Sequence, residues 1–173
     1  MTLDGNASGV VRLSRPSPAS LPWFALIGAL VALDQLTKWL VVQRFALYES
    51  VALLPVLDLT RLHNTGAAFS MLSDQSGWQR WFFSAIAFGV AVVLGALLWR
   101  LERGAARLLT ASYALIMAGA VGNLIDRLRV GYVVDFVHLH WQDWYYPAFN
   151  LADSAITIGA ALMLWDAVRS ARK

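Results

Sequence analysis

Four long apolar stretches separated by more polar segments organise this chain, running approximately over residues 22–42, 81–99, 108–125 and 148–165. Each is near the roughly 20 residues that a helix needs to cross about 30 Å of hydrocarbon. In lipid such a stretch must be helical, because its backbone groups find no water to bond. Between the first two stretches, residues 44–80 include SVALLPVLDLTRLHN, whose β-branched and Leu-rich pieces predict short strands. A small sheet lying on the membrane surface suits them. Residues 127–147 (RLRVGYVVDFVHLHWQDWYYP) alternate apolar and polar around Asp135 and then turn aromatic. Trp141, Trp144, Tyr145 and Tyr146 belong in the headgroup layer, and Pro147 is expected to open the last helix. The expected fold class is an all-α membrane protein: four transmembrane helices with a small extracytoplasmic β-sheet platform. Residues 1–20, polar and rich in Ser and Pro, form a disordered cytoplasmic tail, and 21–173 form one domain.

Composition sharpens this picture. The chain is 58% hydrophobic and 14% charged, against about 25% charged in an ordinary soluble domain, so lipid is the solvent for much of it. Cysteine is absent, which excludes disulfides, cysteine nucleophiles and thiolate metal sites. The net charge of +3 is small and dispersed, and no basic run is interleaved with aromatics as a nucleic-acid groove requires.

The basic residues act instead as topology signals. Arg12 and Arg15 precede the first apolar stretch, Arg100, Arg103 and Arg107 fill the second connection, and Arg169, Arg172 and Lys173 end the chain. With four crossings all of them fall on one side, which places both termini in the cytoplasm. Arg12 and Arg15 could also open a signal peptide, but no small-residue cleavage site follows and apolar sequence resumes as WLVV. A retained helix is the better reading.

Ionisable residues inside spanning helices cost roughly 2.5–3.5 kcal/mol each, so each needs a reason. Asp34 and Lys38 are four apart on the first helix, where they can neutralise each other, with Lys38 near enough to the outer surface to snorkel; a substrate-facing role is equally open. The third helix ends in GAVGNLIDR. Gly119 and Gly122 permit close helix approach, and Asn123, Asp126 and Arg127 project from one face, as interhelical glue or as the wall of a polar pocket.

Asp135 and Asp153 form the most informative pair. Asp153 lies about one turn inside the fourth helix, in FNLADSAI, with Asn150 one turn above it on the same face. If helices three and four are neighbours, the two carboxylates can meet at the outer boundary of the bilayer and share one proton. An aspartic protease needs that arrangement, although a lone buried Asp is more often a packing or ion-pathway residue. Other chemistry is weaker. His138 and His140 in VHLHW lack further metal-ligand spacing, Ser70 and Ser154 lack a nucleophile elbow, and Ser154 is expected to bond its own helix backbone. Asn64, Thr65 and Gly66 taken alone describe a turn.

In order along the chain, DQLTK (34–38), NTGAAFS (64–70), GAVGNLIDR (119–127), VVDF (133–136) and FNLADSAI (149–156) make it similar to the lipoprotein signal peptidase (signal peptidase II) family. Each motif alone is weak, whereas five at compatible intervals are specific, and the resemblance covers nearly everything after the tail. The family often has two glycines where this chain has Ala118 and Gly119, a small change. The resemblance implies that Asp135 and Asp153 are the catalytic dyad. It implies that Asp34, Lys38, Asn64 with Gly66, Asn123, Arg127 and Asn150 bind substrate or support the dyad. It also implies a membrane-embedded aspartic endopeptidase, without cofactor or metal, in the bacterial inner membrane with its site near the outer face. The implied substrates are diacylglyceryl-modified prolipoproteins, cut just before the lipidated Cys; membrane lipid is the other partner, nucleic acid is not one, and a monomer is the default. Residues 44–80 are expected to dock over the site, and part of 127–147 to act as a gate hinged at Gly131. The alternative function is a small proton-coupled transporter, which would normally show internal repeats or broken helices.

Overall fold

The computed structural model describes residues 19–66, 77–100 and 106–172. The elements run in the order α1 (Leu21–Arg44), β1 (Ser50–Leu54), β2 (Leu57–Asn64), α2 (Trp78–Trp99), α3 (Arg107–Arg129), β3 (Val133–Trp141), β4 (Trp144–Tyr145) and α4 (Leu151–Ala171). All four helices are long and apolar enough to cross a membrane. Most of the tail, Ser70 and the later part of NTGAAFS lie outside the described residues.

The helices turn polar, small and a few apolar side chains inward and leave many of their large apolar ones exposed. On α1 the buried stripe is Ile27, Asp34, Lys38 and Val41, while Leu33, Leu36, Trp39 and Leu40 are exposed. A helix that keeps its ions inward and its leucines outward is built for lipid. Helix α3 is the hub, packed against α1, α2 and α4. Its buried face consists of small or polar residues, including Ser112, Ala114, Ala118, Gly119, Gly122 and Asn123, which let neighbouring backbones come close. A Cβ on Gly119 would run into the carbonyl oxygen of Ala152 on α4, and one on Gly122 would lie 2.6 Å from Asp34 Oδ2. The first glycine admits α4; the second admits the α1 carboxylate.

Gly119→Ala is therefore expected to push α3 and α4 apart and lower stability by about 1–3 kcal/mol. Gly89→Ala, where nothing lies within 4 Å of the added methyl, should leave stability unchanged or slightly raised. Thermal unfolding of the detergent-solubilised protein, followed by tryptophan fluorescence, compares the two; equal midpoints would contradict the close approach.

The strands form an antiparallel sheet in the order β1-β2-β3-β4. Strand β2 pairs with β3 from Leu57↔Leu139 to Asn64↔Val133, with a bulge between Leu59 and Leu62. The sheet sits on the end of α1 through Val41, Val134 and Phe136, and Arg61 donates to the Val42 and Phe45 carbonyls at 3.3 and 2.9 Å. The strands expected within 44–80 are β1 and β2. Within 127–147, the segment expected in part to act as a gate, residues 133–141 form β3, which is hydrogen-bonded along β2. Gly131, at φ +90°, turns the chain from the end of α3 into that strand, a conformation that favours glycine.

One boundary differs from the sequence reading. Pro147 does not open α4, which starts at Leu151 with Asn150 as its N-cap. Phe149 is held back by pairing with Val137, its N–H donating to Val137 O at 3.0 Å, so strand pairing wins over the helix-starting tendency of proline. Trp141, Trp144, Tyr145 and Tyr146 are all exposed.

Candidate active site

The site forms where the sheet meets the ends of α1 and α3 and the start of α4. Asp135 is on β3, 2% exposed, and faces the same side as Val133. Because Val133 pairs with Asn64, Asn64 is the diagonal neighbour of Asp135 on that face. Its Nδ2 donates to Asp135 Oδ2 at 2.9 Å. Gly66 fixes the orientation of this amide, its N–H donating to Asn64 Oδ1 at 2.8 Å. Gly66 is itself at φ +103°, and a Cβ there would lie 2.7 Å from the Phe83 ring.

Asp153 is the third residue of α4 and is held by a reciprocal capping box. Its backbone N–H donates to Asn150 Oδ1 at 2.9 Å, while Asp153 Oδ2 accepts from the Asn150 N–H at 3.2 Å. That leaves Oδ1 for Asn123 Nδ2, at 2.7 Å. Asn150 also donates through Nδ2 to Asp135 Oδ1 at 2.7 Å. One fully buried asparagine thus bonds both carboxylates, one with its side chain and the other with its backbone.

Burial, and next the charge of Asp153, push the Asp135 carboxyl up to about 7, against the hydrogen bonds from Asn64 and Asn150 and the Lys38 cation. Two neighbouring carboxyls that resist joint ionisation are the electrostatic condition for holding one proton between them.

Behind the pair lies a buried ion cluster. Lys38 Nζ is 2.9 Å from Asp34 Oδ2 and 2.9 Å from Asp126 Oδ2, and it donates to Asn123 Oδ1 at 2.9 Å. Lys38 therefore does not snorkel. It is 3% exposed, and its ammonium stays inside because two carboxylates and an amide oxygen meet it there. The pairing expected within Asp34/Lys38 is present, and Asp126 completes it. Asp34 Oδ1 also accepts the Ala152 N–H of α4 at 3.0 Å, which joins α1 to the start of the helix that carries Asp153.

Arg127 stands apart from these bonds. Its guanidinium lies over the Phe83 ring at 5.4 Å and donates to Asn123 O at 3.4 Å, although it remains within electrostatic range of Asp135 and Asp153. His140 stacks on Tyr145 and pairs with Asp58 at 3.4 Å, and His138 lies tilted beside the same Tyr145 ring. Ser154 Oγ donates to Asn150 O at 2.9 Å, as expected of a backbone-bonded serine. A groove of about 450 Å³ opens beside Asp153, lined also by Leu139, Tyr146, Phe149, Ser154, Thr157 and Ile158.

Two residues escaped the sequence reading as members of the site. Gln35 donates to Asp34 at 3.2 Å, to Gly122 O at 3.2 Å and to Asp126 Oδ1 at 2.9 Å. An amide beside Asp34 in an apolar helix was the available signal. For Asp126, position alone left glue and pocket wall equally open. Asn-x-x-Asp after a proline was likewise a readable capping box.

A sequence model of the signal peptidase (SPase) II family matches residues 26–169. A lipoprotein signal peptidase of Yersinia enterocolitica (serotype O:8 / biotype 1B) is 48% identical over 155 residues, 89% of this chain and 91% of that protein. One from Pseudoalteromonas translucida is 50% identical over 151 residues, 86% of this chain and 89% of its own. Among solved structures, a bacterial membrane enzyme determined in meso at 2.3 Å superposes with a TM-score of 0.77 at 27% identity, covering 91% of this chain and 94% of that one. A second, at 1.9 Å, gives 0.74 at 28% identity over 88% and 95%.

Proposed function

Because this chain belongs to the signal peptidase II family, a family of membrane peptidases, we propose that it is an aspartic endopeptidase whose working groups are Asp135 and Asp153. Its substrates are lipoprotein precursors carrying diacylglycerol on a cysteine, cut on the N-terminal side of that cysteine. One observation carries the reading: a buried and a half-buried carboxyl from separate elements, bonded in common by Asn150. A proton-coupled transporter finds no support in the relatives.

In this mechanism the pair holds one proton. The ionised carboxylate takes a proton from water, which adds to the scissile carbonyl, while the protonated carboxyl donates to the carbonyl oxygen. The tetrahedral intermediate collapses as the amide nitrogen receives a proton, releasing signal peptide and lipidated protein. Asn64, Asn123 and Asn150 hold the carboxylates, and Asp34 and Lys38 support Asn123 and the start of α4. The groove beside Asp153 receives the substrate segment that adjoins the cut, and Arg127 acts on the pair through its charge. The arrangement suits a monomer with both termini cytoplasmic and the site at the outer face, where lipid can stay in the bilayer while a peptide bond meets water.

The deciding experiment incubates the purified protein with a diacylglyceryl-modified prolipoprotein. Loss of a mass equal to the signal peptide is expected, and an unlipidated precursor should remain uncut. A substrate left intact, or cut elsewhere, overturns the proposal.

The pH dependence follows from Asp135. Its carboxyl is raised in the folded protein, so the contribution to stability is fully present below the unfolded value and is lost as pH rises through about 7. The same proton is the one the reaction needs. kcat/KM should therefore fall about tenfold per pH unit on the alkaline side, with an apparent midpoint near 7 that belongs to the pair. A profile flat from pH 6 to about 9 would contradict a shared proton.

A further inference from the structure

We propose that Asp126 is a positioning residue for this reaction, holding both carboxylates through separate routes and setting the charge behind them. The proposal rests on the aspartic reading above.

Asp126 uses both of its oxygens. Oδ2 accepts from Lys38 Nζ at 2.9 Å and from the Val134 N–H at 3.2 Å, and Oδ1 accepts from Gln35 Nε2 at 2.9 Å. Val134 immediately precedes Asp135, and its carbonyl accepts from Asn150 Nδ2 at 3.3 Å. The backbone entering Asp135 is thus held on its N–H by α3 and on its C=O by the cap of α4. The second route passes through Lys38. An ammonium only donates, so its bond to Asn123 Oδ1 turns the Asn123 carbonyl inward and points the amide NH₂ at Asp153 Oδ1. Asn150 Nδ2 donates to the same Asn123 Oδ1 at 3.2 Å, so the cation supplies one of the two bonds that orient the Asn123 amide, and the shorter of them.

The charge argument is independent of these bonds. Lys38 contributes one positive charge and Asp34 and Asp126 two negative ones, which sum to −1. A background of greater negative charge holds the proton of the pair more tightly, and one of less negative charge releases it earlier. The other charged group near the pair on α3 is Arg127, and α4 supplies Asp153 itself. Strand β2 presents the neutral Asn64, while its Arg61 is turned to the end of α1 and its His63 stacks on Tyr132. None of these changes in the variants below.

Asp126→Asn brings the cluster to zero and Lys38→Met brings it to −2. The alkaline limb of kcat/KM should move down in the first and up in the second, each by about one pH unit. Lys38→Arg keeps the cation and should keep the limb where the wild type has it. Interhelical glue alone would lower stability in both variants and leave the limb in place.

The test measures pH profiles of the full-length enzyme and these variants on a lipidated prolipoprotein. Where a variant is too slow, infrared titration follows the protonated-carboxyl band that vanishes in Asp135→Asn, since this band reports the proton without turnover. Opposite displacement of limb or band supports the proposal. An unmoved limb and band, or displacement in one direction for both variants, overturns it while leaving the peptidase intact. Failure of the wild type to cut overturns the peptidase reading and this inference together.

Discussion

Asp135→Asn and Asp153→Asn are each expected to reduce prolipoprotein cleavage by about 10³-fold or more, while the protein remains folded and inserted in the membrane. The loss is large because the mechanism needs one acid and one base from two carboxyls, and an amide supplies neither. The fold should survive because asparagine has nearly the shape of aspartate and the partners adapt. Asp135 accepts from Asn64 and Asn150, and Asp153 from Asn123 and the Asn150 backbone. In each variant the amide oxygen keeps one of these bonds and the new NH₂ opposes the other donor. A stability loss of about 1–2 kcal/mol is expected from that opposition. The double variant should be scarcely slower than either single one, because the two groups act as a unit. Mass spectrometry of the cleaved product reads the rate, and size-exclusion profile with tryptophan fluorescence reads the fold. Cleavage near the wild-type rate in either folded variant would remove that residue from the mechanism.

The membrane spans were legible because hydrocarbon leaves the backbone one solution, and twenty-odd apolar residues announce it. The sheet was legible in outline, since the alternation VVDFVHLH around Asp135 and the β-branched stretch before Asn64 favour strands. That β3 lies against β2 and places Asn64 diagonally across from Asp135 was not, because register depends on a bulge between Leu59 and Leu62 that no local pattern marks. The early start assigned to the last helix has a similar origin: Phe149 is occupied by Val137, a partner from another element.

The candidate site was half legible. Each acid could be picked out as an ion in an apolar setting, yet the role of Lys38 depends on Asp126, far along the chain on another helix. Read from α1 alone, an exposed cation near the surface was as reasonable as a buried one. Spacing alone marked Asp135 and Asp153 as the most informative pair but left a packing or ion-pathway role open, and only the ordered motifs implied a catalytic one. The bonds now found around them are what the motifs had no means to describe.

Asn150→Ala should be the most damaging change outside the dyad, lowering kcat by about 10²-fold with little effect on KM. Asn150 bonds Asp135 Oδ1 through its amide, Asp153 Oδ2 through its backbone N–H, and accepts the Asp153 N–H on Oδ1, so losing its side chain misplaces the reacting groups more than it weakens substrate contact. The same truncation removes the N-cap of α4, which costs about 1 kcal/mol or somewhat more. The two effects can be separated. Asn150→Ser restores an acceptor for the Asp153 N–H but is too short to reach Asp135 Oδ1, so stability should return while kcat stays low. Asn150→Asp keeps the cap acceptor, loses the amide donor and adds a negative charge beside the pair. That variant should be slower still and should show an alkaline limb displaced upward. If Asn150→Ser works at the wild-type rate, the bond from Asn150 to Asp135 is a feature of packing, and the backbone of β3 alone aims the carboxyl. If it stays slow while unfolding at the wild-type temperature, a single buried amide links how α4 begins to how the two acids meet.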